Sequence, residues 1–355
     1  MASTLQEFNA RIVAASAAGT PLQLRGGGSK DWYGQEPHGE ILETSAYRGI
    51  VDYEPTELVI TARCGTPLAE IDAALAQHNQ VLAFEPPRFG GAATVGGMVA
   101  AGLSGPGRQF SGAVRDFVLG ADLMDGQGEV LHFGGQVMKN VAGYDVSRLL
   151  AGSLGTLGLI LQVSLKVLPQ AFASSTRVFE VAQEQALHLL NEWGGQPLPL
   201  SASAWVNGVL TIRLSGAQAA VDAATRKLGG SELTNGDDFW RDLREQQHAF
   251  FTDVEPQQAL WRLALPSVAA PLALAGAQLI EWGGAQRWYR GADSAASIRA
   301  AALAAGGHAS LYRGGDKSIG VFHPLAPAVA RIHHKLKASF DPSGIFNPGR
   351  MYPDL

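Results

Sequence analysis

A short apolar strand, Leu22–Leu24, runs directly into Arg25-Gly26-Gly27-Gly28-Ser29-Lys30. Consecutive glycines carry no Cβ, so their backbone N–H groups can converge on a single anion, and the junction reads as a nest for a phosphate. An ordinary glycine loop accounts for these residues equally well. The junction nevertheless limits the fold. It is not the GxGxxG turn of a nicotinamide-binding Rossmann unit, and no acidic residue closes a second strand at the required spacing. No GK[ST] follows the glycines into a helix, so a P-loop is disfavoured too.

A second glycine-dense run, Glu85–Gly107, carries more information. Pro86-Pro87 stiffens its start, Gly90, Gly91, Gly96 and Gly97 permit close approach to a planar or phosphorylated ligand, and Thr94 offers a hydroxyl. Small apolar residues around Met98–Leu103 would pack beneath that ligand. A helix–helix contact built on small residues is the alternative, although it needs neither the prolines nor so many adjacent glycines. A third cluster, Lys139–Asp145, contains Tyr144 and Asp145, which read as caps of the helix that follows. Glycine supplies 43 of the 355 residues, well above the usual ~7%, and the excess falls between Gly90 and Gly158.

The remaining composition excludes several classes. Hydrophobic residues at 46% and charged residues at 17% are globular values. The net charge of −5 is spread without a basic stripe, which argues against nucleic acid as a partner. One cysteine, Cys64, cannot form an internal disulfide, a zinc knuckle or an iron–sulfur site, and fits a reducing cytoplasm. The N-terminal stretch lacks the basic start and long apolar core of a signal peptide. No run approaches the ~20 apolar residues that span a bilayer, so any membrane association would be peripheral, on the inner face of the cell membrane.

Three zones follow from the patterning. Residues 1–170 open with a helix over Leu5–Ala18, interrupted by Asn9 and Arg11. Strands follow at Leu22–Leu24, Ile41–Thr44 and Leu58–Arg63, then a helix from Leu68 that stops at Asn79. A β-hairpin is expected around Asp125–Gly126, within VRDFVLGADLMDGQGEVLHFG, then a helix-like SRLLAGS and a long strand ending at Pro169. This order suggests parallel-type units followed by antiparallel ribbons. Residues 171–325 read as a separate α+β domain, an antiparallel sheet covered by helices. Residues 326–355 are a helix and a Pro/Gly-punctuated tail expected to return to the first zone.

Taken in order, RGGGS, VITARCGTPLAEIDAAL, EPPRFGGAATVGGMVAAG, SGAVRDFVLGADLMDGQGEV, NVAGYDVSRLLAGSLGTLGLI and FDPSGIFNPG resemble the vanillyl-alcohol-oxidase type (PCMH-type) of FAD-binding flavoprotein. The resemblance covers the first ~170 residues and the last ~20. VMKNVAGYDVSRLL, LREQQHAFF, LIEWGGAQRW and FNPGRMYPDL extend it over nearly the whole chain toward the FAD-binding subunits of bacterial glycolate oxidases. UDP-sugar enolpyruvyl reductases share the flavin fold, but the FNPG tail and GYD segment fit them poorly.

The resemblance implies an α+β protein: two α/β subdomains with FAD between them, plus an α+β cap domain with an antiparallel sheet. It implies that Arg25, Gly26, Gly27, Gly28, Ser29, Lys30, Pro86, Ala93, Thr94, Val95, Gly96, Gly97, Ser104, Gly105 and Arg115 bind the cofactor, with Leu159 and Ile160 flanking the adenine. Many relatives attach flavin through a histidine at the position of Ser29; His38 is the nearest downstream histidine and Cys64 lies away from the other usual attachment motif. Non-covalent FAD is therefore expected. The family's GSEGTLGIIT pattern is altered at Leu154 and Leu161, which removes two polar contacts.

Catalysis by this chain stays open. Oxidising a 2-hydroxy acid needs a base for the hydroxyl proton and a cation for the carboxylate. The HGDGNxH-like segment that hydroxy-acid-oxidising relatives carry is missing. His308, Arg313, Asp316, Lys317 and His323 form a polar cluster that a solvated loop explains as well. His333 and His334 are adjacent and do not face one metal together. Two readings remain. In one, the chain is the FAD subunit of a heteromeric glycolate oxidase, with a second flavoprotein subunit and an iron–sulfur subunit as partners. In the other, it is a catalytically silent subunit that keeps the flavin fold for assembly. Six tryptophans, Trp193, Trp205, Trp240, Trp261, Trp282 and Trp288, follow residue 190; core packing explains most, and an exposed subset would serve a subunit interface.

Overall fold

The computed structural model describes residues 2–136, 145–253, 255 and 258–355. The cluster Lys139–Tyr144 lies outside the described residues. The chain divides into two compact units. The first comprises Met1–Leu103, Ala113–Pro169 and Pro324–Leu355, and the second Ser104–Gly112 and Gln170–His323.

In the first unit, helix α1 (Ala2–Ala18) buries Phe8, Ile12 and Ala15 on one face. Asn9 and Arg11 do not interrupt it. Asn9 donates to the Gly128 carbonyl at 2.7 Å, and Arg11 to the Ile41 carbonyl at 3.0 Å, so both tie the helix to neighbouring segments. Strands β1 (Leu22–Arg25) and β2 (Glu40–Glu43) pair in parallel. Strands β3 (Ile50–Glu54) and β4 (Val59–Arg63) begin a five-stranded sheet, completed by β5 (Val118–Met124), β6 (Val130–Gly134) and β7 (Leu159–Lys166) in the order β3-β4-β7-β5-β6. Every pairing in that sheet is antiparallel. Strand–helix alternation in the sequence overstates the parallel character of this unit.

Helix α2 (Leu68–Ala76) packs Leu68, Ile71 and Leu75 inward, and the chain turns at Asn79 in left-handed conformation (φ 51°). Around Asp125 the expected hairpin forms between β5 and β6, with one Asp125 carboxylate oxygen accepting from Gln127 and Glu129 N–H at 2.9 Å each. Val114–Phe117, which precedes it, is a helical turn rather than strand. The core of this unit gathers β4, β5, β7 and helix α3 (Val95–Ala101) around Ile60, Val95, Met98, Leu123 and Val163.

In the second unit an eight-stranded antiparallel sheet is built from β8 (Ala173–Glu180), β9 (Leu200–Val206), β10 (Val209–Gly216), β11 (Ser231–Glu232), β12 (Leu260–Ala264), β13 (Ala277–Glu281), β14 (Gln286–Arg290) and β15 (His308–Arg313). The strand order is β11-β8-β10-β9-β13-β14-β12-β15. Asn207 (φ 49°) and Gly208 (φ 82°) make the tight turn between β9 and β10, the pair of positive φ values that matches strand twist. Helices Gln183–Gly194 and Gln218–Leu228 cover one part of the sheet through Leu190, Trp193 and Val221, and Ala295–Ala304 another through Ile298 and Ala302. Trp193, Trp240, Trp261, Trp282 and Trp288 are all buried. The indole N–H of half-buried Trp205 donates to Val181. The tryptophans thus serve packing.

Candidate functional site

The residues Arg25–Lys30 leave the end of β1 as a half-buried loop. Arg25 turns back over it and forms ion pairs with Asp31 at 2.8 Å and Glu43 at 3.2 Å. The hydrogen bond that Arg25 donates to Asp31 is the main cause that raises the Arg25 pKa above its ordinary value, so its charge is partly committed within the chain. Gly26 and Gly27 are dictated by proximity to the second glycine run. A Cβ on Gly26 would stand 2.4 Å from Thr94 Oγ1, and one on Gly27 would fall 1.4 Å from the Ala92 carbonyl oxygen. Gly28 adopts φ 70°, which favours glycine. Lys30 lies over the Phe89 ring at 5.5 Å, and Trp32 packs edge-on against the same ring at 5.4 Å.

Among the described residues, the backbone N–H groups of Gly27, Gly28 and Ser29 donate to no group of the chain. Three successive unsatisfied donors beside a cleft are the device by which backbone holds an anion. The second run behaves differently. Its first helical N–H groups are used internally: Val95 donates to Thr66, Gly96 to Cys64, and Gly97 to the Thr94 hydroxyl at 3.3 Å. Gly96 is needed because a Cβ there would come 2.6 Å from Cys64 Cβ. The second glycine run is therefore a shaped floor for the first.

Two adjoining clefts meet at these loops. One is lined by Arg25 through Asp31, Tyr33, Thr94, Gly97, Leu154, Asn347 and Arg350. The other continues past Gly26, Gly96 and Gly97 to Cys64, Leu159 and Ile160. Arg25–Lys30, Thr94, Gly96, Gly97, Leu159 and Ile160 thus come together. Pro86, Ala93 and Val95 are buried behind the lining, and Arg115 stands largely exposed beside Asp116 at 3.9 Å. Ser104 and Gly105 belong to the second unit, where the Gly105 carbonyl accepts from Trp282 Nε1 at 3.0 Å. Burial pushes the Cys64 thiol up to about 12, so it stays protonated and inert at neutral pH.

The C-terminal tail contributes residues that motif reading did not single out. Asn347 accepts from Leu24 N–H at 2.9 Å and donates to the Leu154 carbonyl at 2.6 Å. Arg350 donates to the Asp31 carbonyl at 2.8 Å, while its own carbonyl accepts from Gln35 N–H at 2.9 Å. The tail is held in turn by a buried pair, Lys337 and Asp341 at 2.6 Å, whose lysine also donates to the Thr156 and Phe346 carbonyls. The return of the tail is what the FDPSGIFNPG resemblance leads one to expect; which side chains carry it is not, since contacts over more than 300 residues leave no local pattern.

Comparison with known proteins places this geometry. Residues 1–134 match the FAD binding domain family. The fold is that of an alkyldihydroxyacetonephosphate synthase, with a TM-score of 0.66 at 14% identity over 97% of this chain and 74% of that one. Fold and loops therefore define a PCMH-type flavoprotein with FAD as its cofactor. The chain is 49% identical to the glycolate oxidase subunit GlcE of Escherichia coli (strain K12), over 95% of this chain and 94% of that protein, and it belongs to that family. A D-lactate dehydrogenase of Archaeoglobus fulgidus is 31% identical over 47% of this chain and 38% of its own length. The glycolate oxidase subunit GlcD of Bacillus subtilis is 28% identical over 48% of this chain. These relatives make the chain's class that of FAD-dependent oxidoreductases.

Proposed function

We propose that the chain is the FAD-bearing subunit of a heteromeric glycolate oxidase, which converts glycolate to glyoxylate and passes electrons to an iron–sulfur partner. The reading is carried by its likeness to a glycolate oxidase subunit over 95% of the chain. The Gly27–Ser29 donors supply the matching chemistry, because they suit the pyrophosphate of FAD. Thr94 and Gly97 would floor that site, and the cleft wall at Leu159 and Ile160 would flank the adenine. Pro86, Ala93 and Val95 would act by packing the floor, with Arg115 as a further contact. When bound, FAD supplies the two-electron acceptor for the hydrogen on the hydroxyl-bearing carbon. The chain's part is to anchor and orient it.

Ser29 stands where attachment would need a histidine, so the cofactor is held without a covalent bond. Acid precipitation should release yellow flavin into the supernatant; flavin retained in the pellet would overturn this. A second flavoprotein subunit and an iron–sulfur subunit complete the complex in this reading, because Cys64 alone cannot hold a cluster. In this reading the complex sits in the cytoplasm or peripherally on the inner face of the membrane; no helix among the described residues is long and apolar enough to cross a membrane.

One observation favours a silent, assembly role instead. The chain lacks an HGDGNxH-like segment. Anaerobic addition of glycolate to the purified yellow chain separates the two. Bleaching places substrate oxidation here. A spectrum that glycolate leaves unchanged, but that bleaches once the partner flavoprotein is added, places it on the partner.

A further inference from the structure

The glycine loop after β1 has no side chain of its own to hold it. Gly26, Gly27 and Gly28 carry no Cβ, and Gly28 sits at φ 70°. Such a segment samples many backbone shapes unless something outside it fixes one. The N–H groups of Gly27, Gly28 and Ser29 converge on a single anion only while that one shape is kept.

The residues that follow the glycines are gripped from the far end of the chain. Arg350 Nη2 donates to the Asp31 carbonyl at 2.8 Å and to the Lys30 carbonyl at 3.4 Å, and Nη1 donates to the Gln35 carbonyl. The Gln35 N–H returns to the Arg350 carbonyl at 2.9 Å. Inside this grip, Tyr33 N–H donates to Lys30 at 3.0 Å and Asp31 N–H to the Gly28 carbonyl at 3.2 Å. The turn that Arg350 holds is therefore bonded directly to the last glycine. A second tie, from Arg25 to the Asp31 carboxylate, joins side chains that are 35% and 41% exposed, so salt and water weaken it. Arg350 is only 8% exposed, which makes it the more durable of the two. Its planar fork reaches several carbonyls at once, which the point charge of a lysine does not.

The geometry points to Arg350 as a positioning residue for the cofactor. It holds Lys30–Gln35 in one shape, and through the Asp31-to-Gly28 bond it aims the Gly27–Ser29 donors at the pyrophosphate. Donors fixed in advance bind more tightly, because less order is imposed when the ligand arrives. The pyrophosphate rests on the proposed FAD-bearing role; the grip on the loop rests on the bonds themselves. Arg350 also lines the cleft, and a direct charge on the phosphates would be the other way for it to act. Lysine keeps a charge but loses the fork, so the two modes part at Arg350→Lys.

The test compares the full chain, freed of flavin, with Arg350→Lys and Arg350→Ala. Amide hydrogen exchange reads the grip without any ligand. The Asp31, Tyr33 and Gln35 amides should exchange about tenfold faster or more in both variants, as loss of a charged hydrogen-bond donor implies. Amides of β4 should keep wild-type rates, which separates a loosened loop from a folding defect. Titrations with FAD, and with ADP as a pyrophosphate without flavin, should show both ligands weakened by the same factor, about tenfold or more. The absorption band of bound flavin should keep its shape. Guanidinium ion at low concentration should restore FAD binding to Arg350→Ala, and sodium at equal ionic strength should not. Unchanged exchange in both variants, wild-type affinity in Arg350→Lys, or weakened FAD with ADP unaffected would overturn the inference. Faster exchange in the variants of a chain whose wild type takes up neither FAD nor ADP would support the grip and overturn the proposed function.

Discussion

Individual glycines in this chain have different reasons for being glycine, and they predict different outcomes. Alanine at Gly27 would drive its methyl into the Ala92 carbonyl oxygen, whereas alanine at Gly91 would meet nothing within 4 Å. We expect Gly27→Ala to cost about 1–3 kcal/mol, as overpacking does, and to lose FAD. Gly91→Ala should be close to neutral, and urea titrations of the two variants compare them. The sequence shows both residues in equally suggestive runs. It identifies a glycine-lined site but not which glycines face a ligand and which face the chain itself. That difference arises from the approach of two loops more than 60 residues apart, so local pattern cannot reveal it. Ser29 was more legible, because one side chain at one motif position carries the argument about attachment.

Helices and their ends carry the next predictions. The short helix Ala249–Thr252 begins at His248, whose Nδ1 accepts from Phe250 N–H at 3.1 Å. Burial lowers the His248 pKa from 6.5, against the opposing pull of Asp242 and Asp253, so the folded state favours neutral imidazole. Between the folded and unfolded values the unfolded chain binds more protons. The contribution is therefore complete above the unfolded value and is lost as pH falls through the folded one. Denaturation midpoints measured from about pH 8 to about pH 5, the range in which histidine titrates, should fall more steeply for the wild type than for His248→Asn, which keeps a capping acceptor. Equal slopes would exclude His248 as a source.

At the C-terminal helix (Pro327–Phe340), Lys337→Met would strand the buried carboxylate of Asp341, at a cost of about 3–5 kcal/mol. Chemical denaturation measures that loss, and flavin content should drop with it. The helix itself is plain from its sequence. The role of its lysine is not, since an i, i+4 Lys–Asp pair looks like a surface bridge until burial is known.

On the scale of the whole molecule, two compact units imply two cooperative transitions rather than one. Added FAD should raise only the transition of the unit that carries the Gly27–Ser29 donors, by about 2.7 kcal/mol at a free concentration a hundredfold above its dissociation constant. Calorimetry with and without the cofactor checks this; a parallel shift of both transitions would show the units to be thermodynamically fused. Most of this architecture is readable from the sequence, because alternation, turn pairs such as Asn207-Gly208 and helix stops are local. Two features escape. One is the antiparallel pairing of the five-stranded sheet, which depends on strand order. The other is the assignment of Ser104–Gly112 to the second unit, which depends on contacts such as Gln109 with Ser203.

The bond from Leu24 to Asn347 spans 323 positions. A ribosome adding about 5–20 residues per second takes roughly half a minute to cover that interval. Throughout it the glycine loop exists without the side chain that fixes its strand. If that loop anchors the flavin as proposed, cofactor capture is a late event in the life of each molecule, and a chain interrupted before its last few dozen residues would emerge with the loop but without the bond that fixes its strand.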